Sequence, residues 1–129
     1  MKDRKVVYDA GVLIALEKRD RKAFDRHLRF LDDGVHVIVP VVAAAQAVRE
    51  PARQARLMRV LGASRIEPFT REHHVQVGKL LSAAGTCDVV DAFVVLLAVR
   101  GGAAIYTSDI DDITHLVRTL DVELPVLAA

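Results

Sequence analysis

The sequence predicts an α/β fold, a mostly parallel and roughly five-stranded sheet between two layers of helices, in a single domain over residues 1–129. The periodicity of its apolar residues switches regularly between strand-like and helix-like along the chain. The resulting order, β-α-β-α-α-β-α-α-β-α-β, separates every strand from the next by helix, as parallel sheets with helices on both faces require. At 129 residues, 52% apolar and 27% charged, the chain suits one buried core and is not disordered.

Lys5 to Tyr8 is a short β-prone run. Gly11 to Leu16 and then Lys22 to Leu31 read as helical, with Ala23, Leu28 and Leu31 among the apolar positions. Asp32-Asp33-Gly34 is a stop, with Gly34 suited to a helix C-terminus. Val35 to Val39 is the clearest strand, closed by Pro40. Val41 to Arg49 is alanine-rich and helical. Pro51, tolerated in a first turn, opens a second helix to Leu61, which Gly62 ends. Arg65 to Pro68 is a short, edge-like strand. Thr70 is placed to cap a helix through Ala84, and Glu72 complements that helix's N-terminal dipole. Gly85-Thr86-Cys87 breaks the pattern before a strongly apolar helix from Asp88 to Val99. Gly101-Gly102 turns the chain into a buried-type strand, Ala103 to Tyr106. Ser108 or Asp109 caps a helix to Leu120, and Leu124 to Leu127 makes the last strand.

Several function classes drop out on composition. No apolar run reaches the ~18 residues of a membrane span. Met1-Lys2-Asp3-Arg4-Lys5 leads straight into the first strand without a signal-peptide core. One cysteine, Cys87, excludes an internal disulfide and a cysteine zinc cluster, so the expected home is a reducing cytoplasm. No GxGxxG and no GxxxxGK[ST] occurs, which leaves dinucleotide and P-loop chemistry without support. The net charge of +1 hides an asymmetry: residues 34–87 carry seven basic and three acidic side chains, residues 88–129 two basic and seven acidic. A uniformly basic nucleic-acid binder is therefore not expected.

The acids fall where a parallel sheet binds ligands, beyond the carboxyl ends of its strands and where strand order reverses. Asp9 follows the first strand; Asp109, Asp111 and Asp112 follow the fourth. Asp88 and Asp91 open the helix that leads into the fourth strand, one turn apart and on one face. Taken singly, Asp88 and Asp109 read first as helix caps and Asp111 and Asp112 first as solvated turn acids, while Asp9 reads equally well as a cap or a ligand. Taken jointly, carboxylates at one sheet edge repel unless they share protons or bind a cation, and oxygen-only ligation suits Mg²⁺ or Mn²⁺. Asp109-Ile110-Asp111 begins like a calcium loop, but Thr114 and Leu120 stand where its Gly and Glu are needed. Arg49, Arg53 and Arg56, at helical spacing, are candidates to track a phosphate backbone or to form a solvated face.

These residues together resemble the PIN-domain nucleases, and specifically the VapC-like toxins of bacterial toxin–antitoxin pairs, over nearly the whole chain. Val7-Tyr8-Asp9-Ala10-Gly11-Val12-Leu13-Ile14-Ala15-Leu16 is similar to the family's first-strand motif. Asp88-Val89-Val90-Asp91-Ala92 is similar to its central acid motif, and Thr107-Ser108-Asp109-Ile110-Asp111-Asp112-Ile113 to its TSDxxD segment. The resemblance implies that Asp9, Asp91 and Asp109 are the principal metal-binding and catalytic acids, with Asp112 and Asp88 auxiliary. Thr107 or Ser108 would orient a carboxylate or the water. Where the family usually has a Glu in the helix after the second strand, this chain has Gln46, with Glu50 one turn further on. Gln keeps an oxygen ligand but removes a charge, so a weaker site is expected.

The function implied is a Mg²⁺- or Mn²⁺-dependent endoribonuclease acting as a toxin, with Arg49 and Arg53 holding the RNA backbone, a homodimer, and a cognate VapB-like antitoxin. Two rivals come from other classes. A catalytically silent PIN-like binding module is suggested by Gln46. A phosphoacceptor signalling domain would need an acceptor Asp after the central strand and a Lys after the last one; Val39-Pro40 and Leu127-Ala128 offer neither.

Overall fold

The computed structural model describes residues 4–129; the expectation placed on Met1 to Asp3 lies outside them. Five strands, β1 (Lys5–Tyr8), β2 (His36–Pro40), β3 (Arg65–Glu67), β4 (Ala104–Thr107) and β5 (Val126–Ala128), form one sheet. Every adjacent pair is parallel, in the order β3-β2-β1-β4-β5. Order reverses between β1 and β4: Val7 pairs with Ile38 on one side and with Ile105 on the other. Seven helices cover the sheet among the described residues: α1 (Ala10–Glu17), α2 (Arg21–Asp32), α3 (Val41–Ala47), α4 (Ala55–Gly62), α5 (His73–Ala84), α6 (Val89–Gly101) and α7 (Ile110–Thr119).

Side chains alternate across a strand, so successive residues of β1 feed opposite cores. Val6 and Tyr8 pack with Val37, Val39 and Tyr106 under α1 to α4. Val7 packs with Ile38 and Ile105 under α5, α6 and α7. The result is the expected three-layer α/β/α arrangement. It also explains why α6 reads as apolar nearly all round, since Ala92, Phe93, Val94, Val95 and Ala98 are all fully buried. Among the described residues no single helix is long and apolar enough to cross a membrane.

Three expectations change in detail. The first helical stretch is two helices, broken at Arg19, whose φ of 63° is left-handed, and restarted by Asp20, which caps α2 through Ala23 N–H (2.9 Å). The helix expected from Pro51 is only a 3-10 turn, Pro51–Arg53. Gln54 ties that joint together, accepting from Arg49 and Glu50 N–H and donating to the Ala47 carbonyl, and α4 starts after it. Glu17 of α1 then accepts from Leu57 N–H (2.9 Å), satisfying a first-turn donor of α4 that lacks a local partner. Finally, Thr70 does not cap α5. Its hydroxyl donates to Glu72 and its N–H to the His73 ring, and the helix begins at His73. Where Asp32-Asp33-Gly34 was read as a stop, α2 ends at Asp32 and Gly34 follows at φ 72°, the left-handed conformation glycine adopts freely.

Candidate metal centre

Asp9 is the first residue beyond β1, and the chain direction forces its side chain toward β4. Tyr8 lies opposite Tyr106 in register, so Asp9 sits beside Thr107, the last residue of β4. The Thr107 hydroxyl donates to Asp9 Oδ2, and Ser108 N–H donates to the same oxygen at 3.1 Å. Val12 N–H donates to Oδ1 at 2.9 Å, so Asp9 also caps α1. The Thr107 hydroxyl in turn accepts from Asp109 N–H at 2.8 Å. One buried hydroxyl thus orients both Asp9 and the turn that carries Asp109.

Asp88 caps α6, accepting from Asp91 N–H at 2.9 Å, and this sets the first turn of that helix. Asp91 is 5% exposed. Asp109 occupies the N-cap position of α7, yet its carboxylate makes no cap hydrogen bond. It lies instead with Asp91 and Asp112, the ligand oxygens of the three within 4.8 Å of one another. The reading of Asp109 as a mere cap is therefore wrong for its side chain, while Asp9 and Asp88 do cap their helices.

Crowding raises proton affinity. Burial, and then the neighbouring Asp88, Asp109, Asp9 and Asp112, push the Asp91 carboxyl up from the usual 3.8 to about 7. Burial pushes Asp9 upward as well, against the three donors that favour its ionised form, with Asp109 adding to the rise. The acids lie at the N-termini of α1, α6 and α7, whose dipoles offset part of the repulsion. An all-carboxylate donor set with one member buried fits a hard divalent cation such as Mg²⁺ or Mn²⁺ and has no soft ligand to favour zinc.

The remaining candidates stand apart or are engaged elsewhere. Gln46 is exposed on α3. Arg49 folds back on the Ala45 and Val48 carbonyls, and Arg53 pairs with Glu50 at 3.3 Å. The guanidinium of Arg56 covers the Phe24 ring at 5.4 Å. These arginines do not share one helix face, because Arg49 lies beyond α3, Arg53 in the 3-10 turn and Arg56 in α4. Sequence reasoning missed Gly11, which lets the first turn of α1 approach Ser108; no local pattern signals such an approach.

A carboxylate cluster at the switch point of a five-stranded parallel sheet defines a class, the α/β domains with an acidic site at the sheet edge. A family model for the PIN domain matches residues 6–118, and the chain belongs to that family. A solved structure with the same fold is VapBC2 from Rickettsia felis bound to a DNA fragment from their promoter. At 14% identity, one of its chains matches 97% of this chain over 98% of its own length, with a TM-score of 0.69. A comparison with curated proteins gives no match.

Proposed function

We propose that this PIN domain, acting as one unit over residues 1–129, is a Mg²⁺- or Mn²⁺-dependent endoribonuclease and the toxin of a VapBC-like pair. The observation that carries the reading is Asp91, a nearly buried carboxylate within 4.8 Å of two others, since such a group is costly unless a cation accompanies it. Asp9, Asp91, Asp109 and Asp112 would hold the ion, with Asp88 fixing the turn that presents Asp91. A bound divalent ion lowers the pKa of a coordinated water and neutralises charge on the scissile phosphate. The chain's own share is orientation: the Thr107 hydroxyl favours the ionised form of Asp9 and aims it, Ser108 N–H supports it, and Asp91 would give up its proton to hold a cation. Arg49 and Arg53 would hold RNA phosphates, Arg53 by exchanging Glu50 for the backbone. Likeness of fold to a VapBC2 chain supports a VapB-like antitoxin as partner; a homodimer and a cytoplasmic setting are part of the same proposal.

The test is cleavage of total RNA by the purified protein with Mn²⁺, expected to vanish with EDTA and in Asp9→Asn. Uncut RNA that nonetheless stays bound to the wild-type protein would favour the silent-module reading, which Gln46 supports. Restoring a carboxylate with Gln46→Glu is expected to tighten Mn²⁺ binding and move maximal cleavage to lower metal concentration. Because position 46 is exposed, solvent screening limits the gain to roughly 0.5–1 kcal/mol, a few-fold in affinity. Calorimetric titration decides it; equal affinity would place Gln46 out of reach of the ion.

A further inference from the structure

We propose that Gly11 is a positioning residue of the metal centre: it leaves the space that the Ser108 side chain fills, and so fixes where the Thr107–Asp109 turn rests against Asp9. The inference builds on the metal-centre reading of the acids. Gly11 is the second residue of α1, where alanine is the better helix former. Its backbone supplies no reason for glycine, since the glycines with positive φ are Gly34, Gly85 and Gly102. Space supplies one. A Cβ on Gly11 would lie 1.7 Å from Ser108 Oγ and 2.8 Å from Ser108 Cβ. None of the chain's other six glycines has a neighbour closer than 3.9 Å to such an atom.

Rotating Ser108 about χ1 would relieve the first clash but not the second, because Cβ is fixed to the backbone. The Ser108 backbone or the first turn of α1, which Asp9 caps, must therefore move. Ser108 N–H holds Asp9 Oδ2, and the preceding Thr107 hydroxyl bonds both Asp9 and Asp109 N–H. Displacement at Ser108 is thus passed to Asp109, one of the three clustered carboxylates. Small size at position 11 is in this way linked to carboxylate placement in the turn between β4 and α7, far along the chain. The next atom that a Gly11 Cβ would meet is Asp9 Oδ1, at 3.5 Å, an ordinary contact. Removing the Ser108 side chain should therefore accommodate alanine in full.

The experiment compares the full chain as wild type, Gly11→Ala, Ser108→Gly and the double variant. Three readouts are taken: melting temperature in EDTA, Mn²⁺ affinity by calorimetry, and RNA cleavage. Gly11→Ala is expected to melt several degrees lower in EDTA, although alanine is the better helix former, and to bind Mn²⁺ at least tenfold more weakly. In the Ser108→Gly background the same change is expected to cost nothing further in either measurement. Equal behaviour of Gly11→Ala and wild type, or additive losses in the double variant, would overturn the proposal. If the wild type binds Mn²⁺ but cuts no RNA, the nuclease reading fails while the Mn²⁺ affinities still decide the role of Gly11. If it binds no Mn²⁺, the metal-centre role of Gly11 fails with it, and the melts in EDTA show only a steric pair.

Discussion

Asp91→Asn is expected to melt well above the wild type in EDTA at pH 8, and to lose both cleavage and the stabilisation by Mg²⁺ or Mn²⁺. The sign follows from proton linkage. The folded-state pKa of Asp91 is raised, from 3.8 to about 7, so between those values the folded chain binds more protons than the unfolded one. Stability then falls as pH rises through that window, and the penalty is complete above about 7. The shift corresponds to about 4 kcal/mol, or on the order of 10 °C in a domain of this size. Burial of Asp9 acts in the same direction. Asparagine never ionises, and its amide can donate to the neighbouring carboxylates, so the variant escapes the penalty. Cation binding removes it for the wild type by a different route, as binding to the folded state alone must. Thermal melts from pH 4 to pH 8, with EDTA and with Mn²⁺, test this. Parallel curves for the two proteins would remove the metal reading of Asp91.

Asp9→Ala is expected to abolish growth inhibition in a host lacking the antitoxin and to cut cleavage by a factor of a hundred or more. Asp9 lies at the reversal of strand order, and Thr107, Ser108 and Val12 all spend their donors on its carboxylate. Alanine leaves the buried Thr107 hydroxyl and two N–H groups without their acceptor, beside a small void, since Asp9 is itself buried. Losing the cap of α1 costs about 1 kcal/mol, and the unpaired donors about 1–3 kcal/mol in addition. The variant should therefore fold, with reduced stability. Growth is compared at equal soluble protein; undiminished toxicity would take Asp9 out of the site.

The acids were legible in the sequence because strand ends and helix starts carry local signals. Asp9 follows four β-prone residues, Asp88 and Asp91 open an apolar helix, and Asp109 opens another. That they meet depends on β1 lying beside β4, a long-range pairing that strand order alone could only pose as a condition. Other features turn on distances with no local trace. Glu17 caps a helix 40 residues further along, and Gly11 makes room for Ser108. At Thr70 a good local signal was overridden, because the His73 ring takes the N–H and Glu72 the hydroxyl. The arginine spacing failed for a similar reason: Gln54 pins a non-helical joint in the middle of it.

The bond between Asp9 and Thr107 spans 98 residues, and on the proposed toxin reading this would make the order of synthesis safe. Asp9 leaves the ribosome long before β4 exists, and domains consolidate only after their distant partners have been made. During translation the chain therefore has its first acid but no second wall to hold it. A chain ended at Gly101 should be harmless to its host at any expression level. Growth arrest by such a fragment would show that the N-terminal acids act without β4.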